Sequence, residues 1–448
     1  MNLSGQRILV IGLGKTGVAS ARFLAGRNAK VFVTDEKPVT ELKDAIAELG
    51  NATANCEFCP YSPDVLSQVD MIIPSPGVPP SNSILTEAVK KKISVFSEIE
   101  LAYRFLKPPM IAITGTNGKT TTTTLTGKIL AKEGKKVFVG GNIGNPLIGY
   151  IDGKQEEDYV VVEVSSFQLQ WIQQFRPFIS VHLNTTCDHV NYHGSFESYR
   201  IAKERVFENQ GKTDLAILNA DEPRSTALAE KLVPRVQFFS TSSTVKKGMY
   251  HDHNLLIHNT TGGDREEYPL DMIKLPGNHN RENVMASIIA ARYCGCSPEN
   301  IISAITEFKG LSHRIEFTCE KDGVAFYDDS KGTNVGAVVR AVETFSKPII
   351  LLLGGRDKEG DFDNLSPLVK AKVKELILFG EARNRINNMI GGVVKTSIAP
   401  TLKEAIEVAH QHSVSGDVVL LSPGCASFDE FSSYKERGNF FQNVVKNL

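Results

Sequence analysis

At 448 residues the chain is too long for one hydrophobic core and predicts two to four domains, each with ample apolar content to fold. A formal net charge of −1 removes the electrostatic reason to expect nucleic acid or an anionic membrane as a partner, and no apolar run approaches membrane-spanning length. Seven scattered cysteines, an odd number, do not make a disulfide framework, and Met1 to Gly17 lacks a basic leader and a cleavage site, so a cytoplasmic protein with thiol cysteines is expected.

Arg7 to Ile11, Lys30 to Thr34 and Met71 to Ile73 read as strands between amphipathic stretches, an α/β pattern. Gly12-x-Gly14-x-x-Gly17 follows the first strand and Asp35 follows the second, which is the spacing of a dinucleotide-binding fingerprint. That motif says that a phosphate can approach a helix N-terminus, and it does not specify a nicotinamide. A dehydrogenase is a rival reading at this point.

A second strand series begins at Met110 and continues through Val137 to Val139, Tyr159 to Val164, Ser180 to Leu183 and Leu215 to Asn219, predicting a parallel sheet. Its first strand runs into Thr114-Gly-Thr-Asn-Gly-Lys-Thr-Thr. Backbone N–H groups of Gly115 to Thr120 can point at phosphate oxygens, the helix start adds partial positive charge, Lys119 adds a full one, and Thr120 offers a hydroxyl to Mg²⁺. Strict Walker spacing would put glycine where Ile113 stands, so this is a tighter version. A dehydrogenase would leave this loop without work, whereas an enzyme that handles two nucleotides uses both loops.

Glu163 ends an apolar strand, where its carboxylate can reach a metal held by the phosphate loop. Asp188-His189 lies at the same edge, and beside a triphosphate His189 becomes a metal ligand or substrate contact. Val236 to Leu275 is polar and rich in glycine and threonine, and reads as a β-rich insertion or sheet edge. A helix is predicted from Glu282 to Tyr293, followed by a third series at Val324 to Tyr327, Pro348 to Leu353, Glu375 to Phe379 and Asp417 to Leu421. Cys56-x-x-Cys59 and Cys294-x-Cys296 lack flanking histidines at finger spacing, so no zinc is expected.

Thr114-Gly-Thr-Asn-Gly-Lys-Thr-Thr, Gly141-Asn142-Ile-Gly144, Glu163-Val-Ser-Ser-Phe-Gln168, Asp188-His189 and Tyr199-Arg-Ile-Ala-Lys203 together resemble the Mur ligases, which add amino acids to the peptidoglycan precursor. His313-Arg314, Asp328-Asp329-Ser-Lys331-Gly-Thr333-Asn334 and the ending from Leu421 to Gly438 continue the resemblance over essentially the whole chain. It implies three α/β domains: a Rossmann-like N-terminal domain at 1–97, a central P-loop-type ATPase domain with a parallel sheet at 98–310, and a Rossmann-like C-terminal domain at 311–448. It also implies an ATP-dependent ligase, monomeric, with UDP-N-acetylmuramoyl-L-alanine and D-glutamate as substrates and an acyl phosphate intermediate.

The same resemblance implies the residue roles. Gly115, Thr116, Asn117, Gly118, Lys119, Thr120 and Thr121 would hold ATP with Asn283, Arg314 and Asp329. Lys15, Thr16, Asp35, Glu36, Lys37, Ser75 and Gly77 would hold the UDP group, with Asn142 and Gln168 on the muramoyl or alanyl portion. Thr333, Lys358, Ser427 and Tyr434 would meet D-glutamate. Lys119, His189, Lys203 and Lys331 would serve catalysis, and Thr120, Glu163, His189 and Lys203 two Mg²⁺ ions, with Lys203 carbamylated because an ammonium cannot ligate a metal. Substrates spread over three domains imply an open and a closed state. Where the family commonly carries a second acid and an arginine after Asp188-His189, this chain has Val190-Asn191-Tyr192-His193, so local contacts are expected to differ.

Overall fold

The computed structural model describes residues 1–448 apart from Thr261, Lys358 and Glu359. These residues form three sheets in two compact units, the first made of Met1–Met272 with Glu282–Ile305 and the second of Ile273–Arg281 with Thr306–Leu448. Among the described residues no helix is long and apolar enough to cross a membrane.

The first unit holds two sheets. One has five parallel strands in the order Cys56–Phe58, Lys30–Thr34, Arg7–Ile11, Met71–Pro74, Ser94–Val95. Its central strand reads Ile-Leu-Val-Ile after Arg7 and is buried on both faces, as a strand covered by helices on either side must be. The other sheet has nine strands, in the order Arg265–Pro269, Leu255–Asn259, Gly248–Asp252, Arg235–Ser240, Leu215–Asn219, Ile179–His182, Met110–Thr114, Tyr159–Glu163, Val137–Gly141. Pairing is parallel from Val137–Gly141 to Gly248–Asp252, and the last two strands then add antiparallel. The polar segment expected to be a β-rich edge is that extension.

Met110–Thr114 lies between Tyr159–Glu163 and Ile179–His182, where the strand order reverses. A crevice opens at the carboxyl ends of strands at such a point. Phe23 and Leu24 of the helix Lys15–Ala25, Ile99 and Leu101 of the helix Glu98–Tyr103, and Met110, Ala112, Val160 and Val162 of the larger sheet belong to one continuous apolar cluster. At about 1.5–3 kcal/mol for each fully buried large side chain, this shared core joins the two sheets into one unit.

The second unit has six strands in the order Glu316–Lys321, Val324–Asp328, Val418–Gly424, Ile349–Gly354, Val373–Phe379, Lys395–Ile398, parallel except for the first pair. Val338, Ala341, Leu365, Val369, Ile386 and Ile390 cover one face, while Leu402, Ile406, Phe441 and Val445 cover the other. The helix expected to start at Glu282 begins at Asn278 instead, directly after Gly277 with φ +93°.

Candidate active site

The phosphate loop turns between the strand Met110–Thr114 and the helix Lys119–Lys132. Gly118 has φ +86°, and a Cβ there would lie 2.2 Å from Asn283 Oδ1, so both conformation and space demand glycine. Asn184 braces the turn by accepting the Asn117 N–H at 2.9 Å and donating to the Asn117 carbonyl at 3.1 Å. The Thr116 hydroxyl is buried within 3.0 Å of the Tyr199 hydroxyl and accepts the Thr186 N–H at 3.0 Å. Behind the loop, the Thr122 hydroxyl donates to Asn283 Oδ1 at 3.2 Å.

Two lysines converge on this turn. Lys119 Nζ donates to the carbonyls of Gly115 and Thr116, both at 2.9 Å, and Lys203 Nζ donates to the same Gly115 carbonyl at 2.7 Å. Lys203 is 2% exposed on the helix Phe196–Glu204, its ammonium 4.7 Å from the Tyr199 ring centroid. Burial, reinforced by the positive charge of Lys119, holds the Lys203 amine well below the usual lysine range, against the opposing pull of Asp188 and Glu163.

Glu163, 3% exposed at the end of its strand, accepts the Thr120 hydroxyl at 2.7 Å through one oxygen and the Asn142 amide at 2.9 Å through the other. Thr120, Glu163 and Asn142 thus meet in one place. His189 stands in the left-handed region at φ 52°, its ring edge-on to Phe167 at 4.7 Å and its Nε2 3.7 Å from Asp188 Oδ2. Tyr192 and His193, at the departure from the family pattern, pack on Phe167 as well, and His193 Nε2 lies 3.0 Å from the Ser166 hydroxyl. Burial, helped by the charges of His189 and Lys203, pushes His193 down to about 4.

The expected UDP residues gather at the carboxyl edge of the five-stranded sheet. Gly17 lies against the Gly12 carbonyl, where a Cβ would be 1.9 Å from its oxygen, and Ser75 Oγ donates to that carbonyl at 2.8 Å. Asp35 accepts the Leu13 N–H at 2.7 Å and the Lys37 N–H at 2.9 Å. Glu36 accepts the Tyr61 hydroxyl at 3.0 Å, and Lys15 Nζ donates to the Gly144 carbonyl at 3.0 Å. Thr16 follows Lys15 in the first turn of its helix, and Gly77 is exposed two residues beyond Ser75. Gln168 is 3% exposed, and its amide oxygen accepts the Ser165 N–H and hydroxyl, both at 3.0 Å, in a capping box.

In the second unit, burial pushes the Asp329 carboxyl up to about 7, against Ser422 Oγ, which donates to it at 2.8 Å, and the charge of Arg314. Lys331 Nζ sits 4.1 Å from the Tyr434 ring centroid, which brings two expected site residues together. Thr333 follows in the same turn, and Ser427 is 2% exposed. Lys358 lies outside the described residues.

Sequence reading missed three buried charges that hold these loops. Glu98 accepts the Ile148 N–H at 2.7 Å and the Gln168 amide at 3.4 Å, and burial pushes it up to about 7. Glu100, fully buried, accepts the N–H groups of Gln173, Gln174 and Phe175 at 2.8–3.1 Å and Arg104 Nε at 2.7 Å. Arg437, 1% exposed, donates to the Ser330 hydroxyl and to the carbonyls of Ser330, Cys425 and Ala426 at 2.8–3.1 Å, tying the turn before Lys331 to the one before Ser427. In the sequence Arg437 stands out only as part of the ending that carries the family resemblance, and Glu98 and Glu100 sit in what reads as an ordinary capped helix start.

Family models match three stretches: Mur ligase MurD-like, N-terminal domain, over residues 6–97; Mur ligase middle domain over 113–291; and Mur ligase, glutamate ligase domain, over 313–425. The chain is 62% identical over 447 residues to UDP-N-acetylmuramoylalanine--D-glutamate ligase of Syntrophus aciditrophicus, covering 100% of this chain and 99% of that one. It is 46% identical over 448 residues to the enzyme of the same name from Geotalea daltonii, with 100% and 99% coverage. Among solved structures, a pseudomurein peptide ligase type C from Methanothermus fervidus superposes with TM-score 0.61 at 18% identity, over 99% of this chain and 100% of the other. The MurF ligase of Thermotoga maritima in complex with ADP gives TM-score 0.61 at 15% identity over 99% and 96%. These last two likenesses speak for the fold.

Proposed function

This chain belongs to the Mur ligase family, and from that premise we propose that it uses ATP to join D-glutamate to the alanyl carboxylate of UDP-N-acetylmuramoyl-L-alanine. The family catalyses ATP-dependent peptide-bond formation in peptidoglycan precursor synthesis. The observation that carries the reading is the convergence of Lys119 and Lys203 on the Gly115 carbonyl, beside the Thr120–Glu163 pair. Full-length identity to relatives of that name supplies the substrates.

Phosphorylating a carboxylate brings anions together. An alanyl oxygen attacks the γ-phosphorus, the bond to the bridging oxygen breaks and ADP leaves; the free amine of D-glutamate then attacks the acyl carbon, loses a proton, and phosphate departs. Lys119 and the backbone N–H groups of Gly118 to Thr120 at the helix start offset the developing charge on the phosphoryl oxygens, while those of Thr116 and Asn117 are held by Asn184. The hydroxyl of Thr120 and the carboxylate of Glu163, 2.7 Å apart, are hard oxygen donors of the kind Mg²⁺ takes. Bound there, Mg²⁺ supplies further charge neutralisation. Asn117, Asn283, Arg314 and Asp329 are proposed nucleotide contacts and Lys331 a phosphoryl contact.

A neutral amine is the form that adds to CO₂. The depressed Lys203 supports a carbamate there: the nitrogen of the neutral amine bonds to carbon, one proton passes to solvent, and the neutral group becomes an anion. With His189 it is proposed to hold a second Mg²⁺. Lys15, Thr16, Asp35, Glu36, Lys37, Ser75 and Gly77 are proposed to hold the UDP group, Asn142 and Gln168 the muramoyl-alanyl portion, and Thr333, Lys358, Ser427 and Tyr434 the D-glutamate. We assign modules at 1–97, 98–310 and 311–448 and a cytoplasmic monomer.

Phosphate release with UDP-N-acetylmuramoyl-L-alanine, ATP and Mg²⁺ tests the reading, with D-glutamate compared against L-glutamate, L-alanine and L-lysine. Release with a matching amide product is expected for D-glutamate. An amino acid lacking the side-chain carboxylate loses roughly ten- to a hundredfold per missing charge-assisted contact. Turnover with another amino acid would reassign the substrate, and none with any would overturn the function.

A further inference from the structure

Glu98 is 1% exposed, lies in the first turn of the helix Glu98–Tyr103, and makes no ion pair among the described contacts. Its two oxygens face different loops. Oε1 accepts the N–H of Ile148 at 2.7 Å, in the first turn of the short helix Leu147–Ile151 that ends the loop carrying Asn142 and Gly144. Oε2 accepts the Gln168 amide nitrogen at 3.4 Å, and Gln168 in turn fixes Ser165 and the turn that presents Phe167 to His189.

A buried carboxylate placed between two sets of donors satisfies groups that would otherwise be costly to bury. Resting on the function proposed above, we infer that Glu98 is a positioning residue for the UDP-linked substrate, holding the loop at 141–148 and the turn at 165–168 in register with each other. Both walls face the muramoyl-alanyl end in the proposed assignment. The phosphate loop has braces at Asn184 and Asn283 besides its link to Asn142 through Glu163, so the larger effect falls on the UDP-linked substrate.

The geometry dictates a swap. In Glu98→Gln the new amide nitrogen can point at the donating nitrogen of Gln168, leaving two donors face to face. Gln168→Glu restores an acceptor, because either residue serves at that position of a capping box. Steady-state kinetics on the full-length Glu98→Gln, Gln168→Glu and double variants are the first arm. Glu98→Gln is expected to raise KM for UDP-N-acetylmuramoyl-L-alanine about tenfold with KM for ATP within about twofold, and recovery in the double variant is read by amide exchange, because Gln168 is itself a proposed contact of that substrate.

Hydrogen–deuterium exchange is the second arm and needs no turnover. The Ile148 and Ser165 amides should exchange about tenfold faster in Glu98→Gln and return towards wild type in the double variant. Unchanged exchange at both amides, an equal rise in every KM, or no recovery of exchange in a folded double variant would overturn the inference. Should Glu98→Gln fail to fold, Gln168→Leu removes the donor to Glu98 together with the acceptor of Ser165, and unchanged exchange at Ile148, across Glu98, would do the same. A wild-type protein inactive on this substrate but with the exchange pattern intact would refute the proposed function and leave the coupling of the two loops standing.

Discussion

Lys203 concentrates the chemistry of the site in one side chain. Folding depresses its amine, so between the folded and unfolded values the folded protein binds fewer protons, and stability rises with pH across that window. The free amine population rises in the same direction, so carbamate formation should increase with pH. Labelled bicarbonate should yield one carbamate carbon resonance that fades as the solution is acidified and is absent from Lys203→Met; a spectrum identical in the variant would remove the modification. The phosphate loop was legible in sequence because glycines, lysine and hydroxyls act through adjacent backbone. The burial of Lys203 was not, since a lysine in Tyr199 to Phe207 reads locally as a surface residue. What buries it is the tertiary approach of the Gly115 turn, 88 positions away in sequence.

At the scale of single elements, the helix Glu98–Tyr103 turns two acids inward. Glu100 terminates three backbone N–H groups at 173–175 and pairs with Arg104, which is mostly buried beside it. Removing one member of a buried pair leaves the other uncompensated, so Glu100→Ala should cost about 3–5 kcal/mol, read from the urea midpoint. A loss below about 1 kcal/mol would mean that water replaces the carboxylate. Strand periodicity gave most of the sheets to within a residue or two, since Ile, Val and Leu runs are local signals. Ser97-Glu-Ile-Glu gave nothing comparable, because its pattern is that of an ordinary capped helix start.

For the molecule as a whole, the shared core of the two sheets in the first unit matters more than the three-module pattern suggests. Residues 1–97 alone would uncover Phe23, Leu24 and Phe96, which pack in the same cluster as Met110, Leu147 and Val160. That fragment should be unfolded or self-associating by circular dichroism and sedimentation, whereas a cooperative, monomeric fragment would show that the cluster is dispensable. The three sheets were foreseeable from three strand series. Their grouping into two units was not, because nothing in a linear pattern tells which apolar faces meet.

The hairpin extension of the nine-stranded sheet decides what that sheet offers to its surroundings. Its outermost strand reads Arg-Glu-Glu-Tyr-Pro, with Glu266 bound to Arg292 and His258 and a proline at the end. Charges and a missing N–H make poor templates for a further strand. A sheet of this width would otherwise end in a row of open donors and acceptors, an invitation to fibril growth, and here that row is blunted in the sequence of the border strand itself.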